Sequence, residues 1–238
     1  MPIDFKRMQS DPGVTAIPQG DEAGLRDYMH AIYNTMAGGL ALTGVVAWYG
    51  YTSGLYLAIA KTPLIWLVLF APLAMVLFLS FRIQKMSLAT AQMTYWAYAA
   101  LMGLSLAGIF MLYTGESIAR VFFITSGTFA GMSVFGYVTK TDLTRWRSFL
   151  MMGLIGVIIA AVVNMFLHSS QLQFLVSVIG VIVFVGLTAY DTQKIKRMYF
   201  AADGHDMVGK KVIMGALTLY LDFINLFLML LRLFGGRR

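Results

Sequence analysis

From His30 onward the chain alternates long apolar windows with short polar joints. Uninterrupted apolar runs predict membrane-spanning helices, because a helix needs about 20 apolar residues to cross a hydrocarbon core. The strict alternation over ~10 residues that marks an outer-membrane barrel is not the pattern here. The windows place seven spans at residues 31–54, 62–82, 91–113, 118–139, 147–167, 173–193 and 212–234. The expected fold is an all-α, polytopic membrane bundle over residues 30–238. Residues 1–29 are polar, carry Pro2, Pro12 and Pro18, and lack the apolar stretch and cleavage site of a signal peptide. They predict a flexible or surface-lying tail. Glycines one turn apart, such as Gly127 and Gly131, predict close helix contact.

Composition agrees with the pattern. Of 238 residues, 59% are apolar and only 12% charged, about half the ~25% of an ordinary soluble domain. A soluble enzyme, a disordered chain and a collagen-like chain are excluded. There is no Cys, so disulfides, thiolate metal sites and Cys nucleophiles are excluded too. The 18 Lys+Arg against 11 Asp+Glu give a net +7. In a membrane protein this excess first sets topology and does not imply nucleic acid. With the N-terminus inside, 13 basic residues fall on inner segments (Lys6, Arg7, Arg26, Arg82, Lys85, Lys140, Arg145, Arg147, Lys194, Lys196, Arg197, Lys210, Lys211) and 5 on outer ones (Lys61, Arg120, Arg232, Arg237, Arg238). Seven spans then put the C-terminus outside.

Most of the acids fall in the tail or in loops, and only Asp191 and Asp222 interrupt apolar helices. An ionisable group at the bilayer centre costs about 2.5–3.5 kcal/mol on insertion scales and marks a functional candidate. Thr188 precedes Asp191 by three residues and Thr218 precedes Asp222 by four, so each helix presents hydroxyl and carboxyl on one face. Spans six and seven are joined by a short loop and are expected to pack antiparallel. Two carboxyls brought together there share a proton and titrate as a unit. Protonation holds the helices together; its loss makes them repel and frees oxygens for a hard cation such as Ca²⁺. One tension remains. With span seven starting at 212, the two acids differ in depth by about 12 Å, and contact requires span six to continue as helix past Lys196.

The segments Gly186-Leu187-Thr188-Ala189-Tyr190-Asp191-Thr192-Gln193-Lys194 and Leu217-Thr218-Leu219-Tyr220-Leu221-Asp222-Phe223-Ile224-Asn225-Leu226-Phe227 resemble the signature of the transmembrane Bax inhibitor motif family, and more closely its bacterial inner-membrane members. The likeness covers nearly all of residues 25–238. It implies a seven-helix fold with the last helix central and wrapped by the other six. It also implies a pH-sensitive Ca²⁺ leak gated by a paired-aspartate sensor, carried here by Asp191 and Asp222, which would also be the groups that meet the metal ion. A basic latch near the inner end of span two is implied as well, with Arg82 and Lys85 as the candidates; Arg82 is preferred for its planar fork.

Two other readings compete. An intramembrane aspartyl protease also pairs a Tyr-Asp with a second Asp, but its second motif is Gly-x-Gly-Asp, whereas Asp222 follows Leu219-Tyr220-Leu221, and no proline occurs after Pro72. A regulator of membrane proteases or stress pathways that conducts no ions is the other. His30, His168 and His205 are scattered, which argues against a three-His metal site, and Ser126 and Ser133 lack a membrane-depth His partner. The expectation is a non-enzyme without a resident cofactor, with Ca²⁺, the lipid bilayer and membrane proteins as partners.

Overall fold

The computed structural model describes residues 19–238. The tail features from Pro2 to Pro18, with Asp4, Lys6, Arg7 and Asp11, lie outside the described residues. The rest is helical: α1 Gln19–Thr52, α2 Leu55–Ala60, α3 Leu64–Arg82, α4 Leu88–Leu106, α5 Ile109–Leu112, α6 Gly115–Val138, α7 Arg147–Leu167, α8 Ser170–Arg197 and α9 His205–Phe234. Among the described residues, six stretches are long and apolar enough to cross a bilayer: Leu64–Lys85, Leu88–Leu112, Gly115–Val138, Leu143–Leu167, Ser170–Arg197 and His205–Phe234. Several begin at hydroxyl caps, as the sequence favours. Ser87, Thr114 and Ser169 accept from the backbone N–H of Thr90, Ser117 and Leu172.

The expected first span, 31–54, is occupied by α1, which is long but falls short of that apolar standard. Its packing gives the reason. A Cβ added at Gly103 of α4 would meet the Thr43 carbonyl of α1 at 2.6 Å, and one added at Gly38 of α1 would meet Trp96 at 2.8 Å. Helices this close need small residues at the contact, and small residues add little hydropathy. α1 also starts earlier than expected. The segment from Gln19 is helical, and Leu25, Tyr28 and Met29 are buried in the core. The polar tail therefore stops short of residue 29, because these three side chains anchor the chain on the bundle. Gly54 ends the first long helix with φ 73°, a left-handed conformation natural only to glycine.

α9 packs on α1, α4, α6 and α8. Along it Leu219, Tyr220 and Leu226 have no exposed surface. α3 rests mainly on α4, and α7 mainly on α8. The last helix is thus enclosed directly by four helices, not six, and α3 and α7 form an outer layer whose exposed Phe70, Leu73, Phe81, Phe149 and Phe166 suit contact with lipid chains.

α8 and α9 are locked in one antiparallel register. Met229 seats on Gly180, where an added Cβ would lie 2.8 Å from its sulfur, and one added at Gly215 would meet Ile32 of α1 at 3.0 Å and Ile195 of α8 at 3.3 Å. Both helices reach further toward their joint than the apolar windows indicate. α8 runs to Arg197, and the first turns of α9 pass beyond its end, so residues 198–204 double back beside them. Lys211 of α9 fastens this return: its ammonium donates to the Met198 carbonyl at 2.7 Å and pairs with the Asp203 carboxylate. A cation on the last carbonyls of a helix is favourable there. In this register Asp222 lies at the level of Thr188 and Asp191 at the level of Leu219, which reduces their axial offset to about 4.5 Å at 1.5 Å per residue.

At the opposite end of the bundle, residues 236–238 are strapped across the α5–α6 joint. Thr114 N–H donates to the Gly236 carbonyl at 3.1 Å, and Arg238 N–H to the Leu112 carbonyl at 3.1 Å. Gly236 N–H donates to Ser117 Oγ at 2.7 Å.

The glycine contact expected at Gly127 and Gly131 is not made: a Cβ at either finds nothing within 4 Å, since both sit on the outward face of α6. The close approach is one turn further on. A Cβ at Gly136 would come within 2.9 Å of Ala189 Cα on α8, two residues from Asp191. Gly136→Val should therefore destabilise the bundle by about 1–3 kcal/mol, the usual cost of overpacking, and lower the melting temperature in detergent. Gly127→Val should leave it unchanged. A thermal scan followed by size exclusion reads both.

Candidate functional site

Asp191 sits on α8 and Asp222 on the facing helix α9, and they are 9% and 6% exposed. Both are taken out of water by packing. The Asp191 carboxylate lies 3.5 Å from the Lys194 ammonium, one turn along its own helix. Asp222 is more isolated: its Oδ2 is buried and meets no hydrogen-bond partner among the described residues. A buried polar atom with no partner costs about 1–3 kcal/mol. The charges reaching Asp222 are those of Asp191 and Lys194, and those reaching Asp191 are Lys194 and Arg147, at the start of α7.

The threonines of the two stripes point to their own helices. Thr188 Oγ1 donates to the Phe184 carbonyl at 2.8 Å and Thr218 Oγ1 to the Met214 carbonyl at 2.9 Å. Their protons are therefore spent, and only their oxygen lone pairs remain for a partner. At the level of Asp222, Thr188 accordingly offers an acceptor and no donor. Such an environment accommodates the protonated acid better than the bare carboxylate.

Arg82 and Lys85, the expected latch, lie elsewhere. Both are exposed at the end of α3 and its following turn, and neither pairs with an acid among the described residues. α3 lies in the outer layer and rests mainly on α4. Lys194 is the cation that pairs with an acid of the site, 3.5 Å from Asp191. Lys194 was visible in the sequence as an i+3 partner of Asp191; Arg147, distant along the chain, gave no such signal.

The segment around Asp191 is pinned residue by residue. The next residue, Thr192, shares a hydrogen bond with Ser133 of α6 at 3.0 Å, and Ser133 shares another with the Tyr33 hydroxyl of α1 at 2.6 Å. This chain links three helices, and Ser133, unpromising as a nucleophile, has a place in it. Gln193 holds the α6–α7 joint: its Oε1 accepts from Leu143 N–H and its Nε2 donates to the Thr141 carbonyl, both at 2.9 Å. Lys196 donates to the Tyr137 carbonyl at 2.8 Å, and Arg197 donates to Asp142 at 2.8 Å. The basic end of α8 thus binds protein groups and does not simply reach for water. The Thr144 backbone N–H, the Thr144 hydroxyl and the Arg197 guanidinium together hold the Asp142 carboxyl down to about 2.

A tyrosine cluster surrounds Tyr220 of α9. The Thr43 hydroxyl donates to the Ala99 carbonyl at 2.8 Å, so its oxygen accepts from the Tyr220 hydroxyl at 2.7 Å. The rings of Tyr95 and Tyr98 stand edge-on to Tyr220, at 6.5 and 5.3 Å between centroids. None of the cavities between α1 and α6, beside the α6–α7 joint or at the strapped end is lined by Asp191 or Asp222. Among the described residues no three His, Asp or Glu gather as a metal cluster.

The comparison with known proteins matches this architecture. The sequence model of the family described as inhibitor of apoptosis-promoting Bax1 matches residues 25–238. The chain is 50% identical over 220 residues to the inner membrane protein YbhL of Escherichia coli K12, covering 91% of this chain and 94% of that protein. It is 52% identical over 219 residues to the uncharacterized protein RP147 of Rickettsia prowazekii, covering 91% and 92%. It is 34% identical over 217 residues to the uncharacterized membrane protein SpyM3_0260 of Streptococcus pyogenes, covering 90% and 94%. Matched from the first core residue of α1 to the strapped end, the chain is a membrane protein belonging to the Bax inhibitor family.

Proposed function

We propose that the protein is a pH-sensitive Ca²⁺ leak of the bacterial inner membrane, gated by a proton shared between Asp191 and Asp222. In this reading α1 is the first of seven spans. The basic end, with the α6–α7 and α8–α9 joints, faces the cytoplasm, and the strapped end lies outside. The observation that carries the reading is the pair of acids buried at neighbouring levels on locked antiparallel helices, one with an oxygen lacking any donor. With the proton in place the two helices stay in contact and the centre is filled. Without it, two carboxylates within about one turn of each other repel, and the space they open is lined by oxygen ligands. The pair offers fewer oxygens than the roughly six to eight of a lasting Ca²⁺ site, which suits an ion that passes and does not stay.

Lys194 takes the place of the latch in this mechanism. Its ammonium favours the charged form of Asp191 and so helps set the pH at which the proton leaves. Asp142 takes no part in the response. A carboxyl lowered to about 2 is fully charged above its ordinary value near 4, and its contribution to stability is lost only as the pH falls through 2. Between pH 5 and 8 its charge does not change.

Purified protein in liposomes should carry Ca²⁺ at a rate that changes at least about fivefold between pH 5 and 8. Asp191→Asn and Asp222→Asn should each flatten that profile, and Asp142→Asn should preserve it. An unchanged profile in Asp191→Asn, or no flux at all from the wild type, refutes the reading. Removing the cation in Lys194→Gln should move the midpoint of the profile to higher pH, whereas Arg82→Gln and Lys85→Gln should leave it in place. Topology is tested separately: alkaline phosphatase fused after Arg238 should be active in intact cells, and green fluorescent protein at the same position dark.

A further inference from the structure

α1 and α6 both lie against α9 but scarcely meet each other. Between them runs a lateral groove of about 1000 Å³. Its walls are Ala37, Ala41 and Gly44 of α1 and Ala130 and Val134 of α6, and Phe223 of α9 closes its floor. The walls are apolar and open outward: Val45 and Val134 are more than half exposed, and a Cβ at Gly44 meets nothing within 4 Å. One end differs. There the lining is Arg26, His30, Tyr33, Ser133 and Tyr137, with the Lys196 ammonium 4.6 Å from the centre of the Tyr137 ring. Arg26 and His30 are exposed, and Arg26 forms no ion pair among the described residues.

Charge therefore sits at one end of an apolar slot. From Tyr33 to Val45 the slot follows α1 for about 18 Å at 1.5 Å per residue, close to one leaflet of a hydrocarbon core ~30 Å thick. A transmembrane helix, about 10 Å across with its side chains, needs more volume over that length than the groove contains. A single acyl chain fits it. The charged end lies with the α8–α9 joint, and basic pockets between membrane helices favour anionic headgroups.

We propose that this groove holds one anionic phospholipid, with an acyl chain between α1 and α6 and its phosphate at Arg26 and His30. The site is separate from the aspartate pair, since neither acid lines it. It touches the pair's surroundings at one point: Tyr33, at the headgroup end, begins the hydrogen-bond chain through Ser133 to Thr192, next to Asp191. Only the choice of leaflet rests on the orientation proposed above. The lipid site itself does not depend on ion flux.

Native mass spectrometry of the full chain, titrated in detergent with phosphatidylglycerol or phosphatidylcholine of the same acyl chains, tests the site. One phosphatidylglycerol should be retained about fivefold more tightly than phosphatidylcholine, the worth of one basic side chain beside an anionic lipid. Arg26→Gln should remove that preference and leave phosphatidylcholine binding unchanged. Gly44→Phe and Ala130→Phe fill the slot from opposite walls at exposed positions, and each should cut retention of both lipids at least about tenfold while the melting temperature holds. Equal retention of the two lipids by the wild type overturns the proposal. So does retention that both filling variants leave intact, or a preference that survives Arg26→Gln.

Discussion

Two glycines decide how α8 and α9 meet. Gly180 receives Met229, and Gly215 receives Ile195 together with Ile32 of α1, and with both sockets filled the helices share a single register along most of their length. In a bilayer this matters more than in water, because lipid chains are as apolar as leucine and association rests on close packing and internal hydrogen bonds. The register brings Asp191 and Asp222 to neighbouring levels and sets Lys211 against the end of α8. Its neighbours then follow: α6 closes on α8 at Gly136, and α1 and α4 close on α9 around Thr43 and Tyr220.

Around Asp191 the chain is tied to α6 and to the α6–α7 joint within a few residues. Thr192 reaches α6, and Gln193 and Arg197 reach the joint before α7. Lys194 reaches back to the acid. Asp222, by contrast, is held by packing alone. One acid is fixed by a polar network and its partner sits in an apolar bed. The two therefore respond to protonation differently although they lie close together: charge on Asp191 has a cation within 3.5 Å, and charge on the free oxygen of Asp222 has no donor.

Much of this was legible in the sequence because its signals are local. Apolar windows gave six of the spanning helices, and two acids in otherwise apolar helices stood out. The features that were not legible depend on tertiary placement. Spacing alone could not tell that α3 lies in an outer layer, where Arg82 and Lys85, the latch that the family resemblance implied, form no ion pair with an acid among the described residues. Gly127 and Gly131 carry the same small-residue spacing that a tight contact would use, yet they face outward, and Gly136, outside the pair, makes the contact. The start of α1 at Gln19 was hidden because Leu25, Tyr28 and Met29 are too few and too interspersed with charge to register as an apolar window. The longer reach of α8 was hidden for the opposite reason: Lys194, Lys196 and Arg197 read as a loop, although three of their contacts are to protein groups.

The two filled sockets also restrict how the centre of the bundle can open. Sliding α9 along α8 as a piston would drive the Met229 thioether out of Gly180 and the Ile195 branch out of Gly215 together, and the next matching position is a full turn away, about 5.4 Å. What the sockets permit is rocking, with each glycine acting as a fulcrum and the stretch between them, which holds both acids, bowing apart as the lever's middle. The same two residues that make the helices rigid to translation thus define the one direction in which they yield.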